Sequence, residues 1–300
     1  MQQTAHVFPG QGSQRAGMGL DLYSSFEQVK DIYDEADSAL GFPLSKICFE
    51  GPEDELRQTI NAQPAILVTS IAYLVAKGLW ADYANGSPAF VAGHSLGEYT
   101  ALVAAKAITF ADAVRLARER GRLMHEAGQR TPGGMVAIIG MDEELVQDIC
   151  TQTGAQIANI NSAEQIVISG TNNSLAQAME LAKERQARRV VPLQVSAAFH
   201  SHLMQPVVEE MGQVISNVRF NDPVVPVVAN TTAQPIHTAN EIKAELLSQI
   251  CSCVQWRGSV EYMVDAGVST FIEIGPGAVL TGLIKRIANQ VSVTCVEQIS

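Results

Sequence analysis

The sequence predicts an α/β protein with a parallel sheet core and an inserted ferredoxin-like small domain. Short apolar runs alternate with amphipathic stretches along most of the chain, the pattern of strands covered on both faces by the helices between them. Between Gly134 and Leu193 the order changes to strand, helix, strand, strand, helix, strand, the βαββαβ series of a ferredoxin-like unit. Gly93-His94-Ser95-Leu96-Gly97 directly follows an apolar run and directly precedes a helical pattern, as a strand-turn-helix elbow requires. These observations assign residues 1–130 and 197–300 to the large domain and residues 131–196 to the insert.

Taken in order, Ala5 to Phe8 is an apolar run and reads as the first buried strand, followed by the loop Phe8-Pro9-Gly10-Gln11-Gly12-Ser13-Gln14. Ala65 to Trp80 reads as a helix, Ala89 to Gly93 as a strand and Leu96 to Ala107 as a helix. Thr109 and Asp112 form a capping pair for the helix Ala111 to Ala127. The turn Thr131-Pro132-Gly133-Gly134 opens the insert. Within it, strands are expected at Met135 to Ile139, Gln156 to Ile160, Gln165 to Ser169 and Arg189 to Leu193, with helices at Glu143 to Thr151 and Ser174 to Glu184. Ser196-Ala197-Ala198 returns the chain to the large domain. Helices follow at His202 to Val218, Glu241 to Ile250, Trp256 to Ala266 and Ala278 to Ala288, and strands at Val224 to Val228, Thr270 to Ile274 and Val291 to Val296.

Bulk properties exclude several classes. The chain has 300 residues, 47% of them hydrophobic and 17% charged, an ordinary globular composition able to build a large core. A formal net charge of -11 argues against nonspecific binding to nucleic acid or anionic membrane. Met1-Gln2-Gln3 leads to Phe8 without a basic region and an apolar stretch, and no window approaches a membrane span of about 20 apolar residues. Five scattered cysteines suit a reducing compartment, so a cytoplasmic, monomeric protein is expected. Cys251 and Cys253 form Cys-x-Cys without a second ligand pair, so no metal site is expected.

Three residues carry the chemistry. Ser95 stands where small residues at 93 and 97 permit a tight turn and where a helix N-terminus offers unpaired N–H groups, which makes it the candidate nucleophile. The amide of Leu96 is then a natural oxyanion donor. A serine needs a base, and of six histidines only His200 and His202, in Phe199-His200-Ser201-His202, lie at a loop-helix junction facing a cleft. Spacing alone does not choose between them. His94 points away from its neighbour at such an elbow and reads as a packing or orienting residue. Arg120 falls in the middle of the apolar stripe Ala113, Leu116, Ala117, Leu123, Met124. A guanidinium there must meet an anion, either a protein carboxylate or one brought by a substrate. Glycines flanking Gln11 bring its backbone N–H close to a ligand, while the absence of a Gly-Lys-Ser/Thr signature disfavours a nucleotide fold.

Together these residues resemble the malonyl-CoA:acyl carrier protein transacylase family and the related acyltransferases of polyketide synthases, over essentially the whole chain. The carriers are Phe8 to Gln14, Gln63-Pro64-Ala65, Gly93 to Glu98, Arg120-Gly121, Asn161-Ser162, Phe199-His200-Ser201, Val254-Gln255-Trp256 and Glu273 to Gly277. The resemblance implies an α/β-hydrolase-like large domain with a ferredoxin-like insert, and malonyl transfer from coenzyme A to the phosphopantetheine thiol of an acyl carrier protein. It implies His200 rather than His202 as base, Gln11 and Leu96 as oxyanion donors, and Arg120 as partner of the malonyl carboxylate. It further implies Gln249 as the residue whose backbone carbonyl orients the histidine in place of a triad acid. His94, Phe199 and Asn161 are expected to line the substrate site, with the aromatic ring of Phe199 restricting a 2-methyl branch. No permanently bound cofactor is implied, malonyl-CoA being the substrate.

Two departures stand out: Cys253 where relatives usually carry proline, and Ala163-Glu164 after Asn161-Ser162. Neither removes a catalytic group, and fatty-acid and polyketide pathways both remain open. The alternatives are an acyl hydrolase that clears carrier proteins, against which Arg120 argues, and a noncatalytic carrier-binding module. An acidic carrier would need local basic surface, for which Lys183, Arg185, Arg188, Arg189, Lys285 and Arg286 are the candidates.

Overall fold

A computed structural model describes residues 3–80, 83 and 88–298, so Met1 and Gln2 lie outside the described residues. The strands in chain order are β1 (Gln3–Phe8), β2 (Phe90–Gly93), β3 (Gly133–Ile139), β4 (Gln156–Ser162), β5 (Gln165–Thr171), β6 (Arg189–Pro192), β7 (Val227–Val228), β8 (Pro235–Ile236), β9 (Val268–Glu273) and β10 (Ser292–Cys295). Two sheets result. The larger has the order β10-β9-β1-β2-β7-β8 and the smaller β4-β5-β3-β6.

In the larger sheet every pair is parallel except the β7–β8 hairpin. Phe8 pairs with Gly93, Ala92 with Val228 and Val7 with Glu273, so β1, β2, β7 and β9 end at one edge. In parallel sheets that carboxyl edge is where loops gather into a site. One face is packed by a core including Val29, Leu67, Ile71, Leu102, Leu116 and Met211, and the other by Trp256, Val260, Leu280 and Ile284. The helix Thr59–Ala76 carries the first of these cores. Against the sequence expectation that no window approaches a membrane span, it is long and apolar enough to cross one, yet 83% of it is buried inside the protein.

The smaller sheet is antiparallel, with β3 flanked by β5 and β6. Its helices, Glu143–Thr153 and Asn172–Glu184, cover one face around Val136, Ile138, Val146, Ile149, Ile166 and Ile168. The opposite face turns Met135, Ala137 and Val167 into the main core. A one-residue bridge stitches the two sheets' domains together: Asn159 pairs with Val254, with Ile160 N donating to Val254 O at 2.9 Å and Val254 N to Ala158 O at 2.9 Å.

Several element boundaries differ from expectation. The helix expected from Ala65 begins at Thr59 and passes through Pro64; the bond that a proline cannot give to Ile60 O is replaced by Arg118 Nη1, which donates to it at 3.0 Å. Only Val227–Val228 of the expected strand Val224 to Val228 is extended, and Val224 is exposed. His202–Met204 forms a 3-10 turn before the helix Gln205–Ser216. Helices at Leu20–Ser25, Glu27–Leu40, Leu44–Glu50 and Glu53–Arg57 had no counterpart in the sequence reading. None of the four has a side-chain N-cap bond, the start signal that marks Thr109 for the helix Phe110–Arg130.

Candidate active site

β2 runs into Ser95 and then into the helix Gly97–Ala104. Ser95 itself takes φ 53, in the left-handed region, where a side chain is strained and is projected clear of the backbone. The turn closes only because its flanks lack side chains: a Cβ on Gly93 would lie 1.9 Å from Gly97 C, and one on Gly97 would lie 2.1 Å from Phe8 O. Those contacts fasten the elbow to the loop after β1.

Across from the elbow, Ser95 Oγ lies 2.8 Å from His200 Nε2. His200 also has a left-handed φ of 57. Its Nδ1 lies 2.8 Å from the backbone carbonyl of Gln249. A carbonyl only accepts, so Nδ1 carries the proton and Nε2 is free to accept from the serine. Burial, then the neighbouring Arg120 charge, pushes the imidazole pKa down to about 3.

Arg120 is 1% exposed. Its Nη2 donates to Ser95 Oγ at 3.1 Å and to Gln249 Oε1 at 2.8 Å, and its Nη1 donates to Gln63 Oε1 at 2.7 Å. All three acceptors are neutral. Nε is buried without a hydrogen-bond partner, and the guanidinium sits 5.6 Å from the centre of the Tyr99 ring. Burial lowers its pKa, but a guanidinium keeps its charge. The site therefore holds a cation that no protein carboxylate touches directly.

These groups share one cavity of about 260 Å³, lined by Gln11, Leu96 and Phe199 as well as Ser95, Arg120 and His200. Met135, Ala137, Asn159, Asn161 and Val167 of the insert form its roof, so it lies between the two domains, a common setting for a ligand. His94 Nε2 bonds Asn161 Oδ1 at 2.8 Å, tying the elbow to the insert, and its ring lies 5.7 Å from Trp256. Gln11 is reached by a relay: Gln63 Nε2 donates to Thr59 Oγ1 at 2.9 Å, which donates to Gln11 Oε1 at 2.9 Å.

A family model described as an acyl transferase domain matches residues 5–299. The malonyl CoA-acyl carrier protein transacylase of Bacillus subtilis (strain 168) is 47% identical over 292 residues, 96% of this chain and 91% of the relative. The chain belongs to the malonyl CoA-acyl carrier protein transacylase family. The transacylase of Escherichia coli (strain K12) is 40% identical over 302 residues, covering 99% of this chain and 97% of its own. Among solved structures, an acyl carrier protein S-malonyltransferase from Vibrio cholerae superposes with a TM-score of 0.92 at 39% identity, covering 98% of this chain and 96% of that one. A malonyl-transacylase in complex with a type II PKS acyl-carrier protein does so with a TM-score of 0.91 at 39% identity, covering 98% and 95%.

For a transacylase of this family, the structure gathers all nine residues named from the sequence around one centre: Ser95, His200, Gln249, Gln11, Leu96, Arg120, His94, Phe199 and Asn161. His202 lies outside it, its Nδ1 bonded to Gln156 on the exposed side of the insert. Of the two readings left open for Arg120, no direct pairing with a protein carboxylate occurs among its hydrogen bonds. The sequence reading missed the side-chain roles of Gln63, Gln249, Glu98 and Asn230. The available signal was a large polar side chain within a predominantly apolar helix, which holds for Gln63 in Thr59–Ala76 and Glu98 in Gly97–Ala104. Among the described residues no cluster of three or more His, Cys, Asp or Glu side chains is placed to hold a metal.

Proposed function

We propose that this chain transfers a malonyl group from malonyl-CoA to the phosphopantetheine thiol of an acyl carrier protein, through a covalent intermediate on Ser95. One observation carries the reading: the hydroxyl of Ser95 stands within hydrogen-bond reach of both a neutral imidazole and an uncompensated guanidinium. His200 Nε2 takes the Ser95 proton as Oγ attacks the thioester carbonyl. The backbone amides of Leu96 and Gln11 stabilise the tetrahedral oxyanion. Collapse expels coenzyme A thiolate, which His200 reprotonates, leaving malonyl-Ser95. The carrier thiol then gives its proton to His200 and attacks that ester, and Ser95 leaves with the proton. The kinetics are ping-pong, since one cavity serves both halves.

Arg120 selects the acyl group. Its unpaired Nε and the charge it holds suit a carboxylate, which a guanidinium grips in bidentate fashion. An acyl group lacking the carboxylate leaves that buried charge unanswered. A hydrolase would have no use for such a clamp. All five cysteines are free thiols, in keeping with a cytoplasmic site of action.

For the carrier, a groove lined by Arg188, Arg189, Arg286 and Gln165 adjoins the cavity, since Gln165 lines both. This groups three of the six candidate cations beside the cavity, a surface suited to an acidic carrier delivering its thiol.

Intact-mass spectrometry after mixing the protein with malonyl-CoA, methylmalonyl-CoA and acetyl-CoA in competition tests the reading. A malonyl adduct on wild type and none on Ser95→Ala is expected, with transfer to added holo carrier. An acetyl adduct in preference, or rapid release of free malonate without carrier, would refute it.

A further inference from the structure

Ser95 stays in a strained conformation, so something must hold it there. The holding group is Asn230, on the turn that joins β7 to β8. Its Oδ1 accepts from Ser95 N at 2.7 Å while its Nδ2 donates to Gly93 O at 2.7 Å, so one amide grips the elbow on both sides of His94. Asn230 is itself gripped. Its backbone N and its Nδ2 donate to Glu98 Oε1 at 2.9 and 3.0 Å. Glu98 Oε2 accepts from Gln249 Nε2, which also donates to Ser95 O at 3.1 Å. The other end of that amide, Gln249 Oε1, accepts from Arg120 Nη2. Asn230 and Glu98 are each 1% exposed and Gln249 fully buried.

The orientation of Gln249 follows from Glu98. An amide can present either end, but both oxygens of Glu98 accept here, Oε1 from Asn230 and Oε2 from Gln249, so Glu98 draws the NH2 group and turns the oxygen toward the guanidinium. The carboxyl group of Glu98 then stands one amide away from Arg120 instead of against it. Arg120 thus meets no carboxylate directly, and its Nε keeps no protein partner.

We propose that Asn230 and Glu98 are positioning residues for acyl transfer, Asn230 holding the Ser95 elbow and Glu98 setting Gln249 and, through it, Arg120. The inference rests on the transfer reading above, and the two fail separately in the following experiment. Single-turnover acylation of the full chain is followed with malonyl-CoA, which needs Arg120, and with p-nitrophenyl acetate, which does not. Asn230→Ala is expected to slow both probes by about 100-fold, the size of effect a small misplacement produces, with burst amplitude still stoichiometric and the malonyl-CoA KM unchanged. Glu98→Gln keeps an oxygen for Asn230 but presents an NH2 to Gln249, forcing that amide to flip. It is expected to lower kcat/KM for malonyl-CoA by about 10-fold or more and to slow p-nitrophenyl acetate by less, the flipped amide having also given up its bond to Ser95 O. Asn230→Ala acting at wild-type rate, or losing burst amplitude alone, would overturn the proposal, as would Glu98→Gln affecting both probes equally or neither. Should Asn230→Ala not fold, the nearly isosteric Glu98→Gln decides. A wild-type chain that forms no malonyl-enzyme would instead sink the transfer reading.

Discussion

At the scale of single residues, the charge state of His200 is the most exposed to test. An imidazole buried beside a guanidinium resists protonation, which puts its pKa near 3 rather than 6.5. The neutral form is the base, so activity is full above the folded pKa and is lost only as pH falls toward it. The acid limb of kcat/KM for malonyl-CoA should therefore lie well below pH 6.5, with no decline between pH 7 and 5.5. A limb centred near 6.5 in acylation kinetics would contradict the site as described. Arg120→Gln should leave the Gln63 and Gln249 neighbours in place but remove the charge, lowering malonyl acylation by about 100-fold or more, as losing one partner of a buried ion pair does. Competition between malonyl-CoA and acetyl-CoA on that variant reads the change directly. Ser95 and Arg120 were legible in the sequence because each breaks a local rule, a serine between glycines and a cation in an apolar stripe, whereas the loop-helix junction left His200 and His202 equal and only the family resemblance singled out His200. Asn230 was not, because an asparagine in a turn is ordinary and its hydrogen bonds to Ser95, Gly93 and Glu98 depend on where β7 meets β2.

At the scale of elements, the helix Phe110–Arg130 places Arg120 by lying close against Thr59–Ala76. The approach occurs at Gly121, where a Cβ would lie 2.6 Å from Thr59 O and 2.8 Å from Ile60 Cα. Backbone cannot yield as a flexible side chain can, so Gly121→Ala should destabilise the fold by about 1–3 kcal/mol, seen as a lower Tm in thermal unfolding. Because Thr59 also holds Gln11, the variant should raise the malonyl-CoA KM as well. Long periodic helices such as this one were readable from their stripe and their Thr109 cap. The short N-terminal helices were not, since five to seven residues cover less than two turns and leave no periodic pattern to find.

At the scale of the whole molecule, the alternation of elements revealed a parallel sheet and the βαββαβ series revealed the insert, but not how one sits on the other. That arrangement depends on pairings distant in sequence, such as Asn159 with Val254. It also decides which cations matter. Lys183 is paired with Glu180 and Arg185 with Asp148; of the three arginines that line the groove, Arg188 is paired with Glu164, which leaves Arg189 and Arg286 outside any salt bridge among the described residues. Reversing the charge of Arg189 and Arg286 together should raise the KM for the carrier by about 10-fold, in the manner of a rim charge that governs encounter. The rate of acylation by malonyl-CoA alone should not move. Equal carrier KM values for the two proteins, measured at low salt where such steering is strongest, would remove the groove from consideration.

The stitch between Asn159 and Val254 has a bearing on how long the loaded form survives. On the proposed mechanism, two backbone hydrogen bonds fasten the roof beside an ester that must wait, intact, for its acceptor. Water is the competitor during that wait. The shelf life of the proposed intermediate would then depend on the tightness of a join between two folding units as well as on the groups that make the ester.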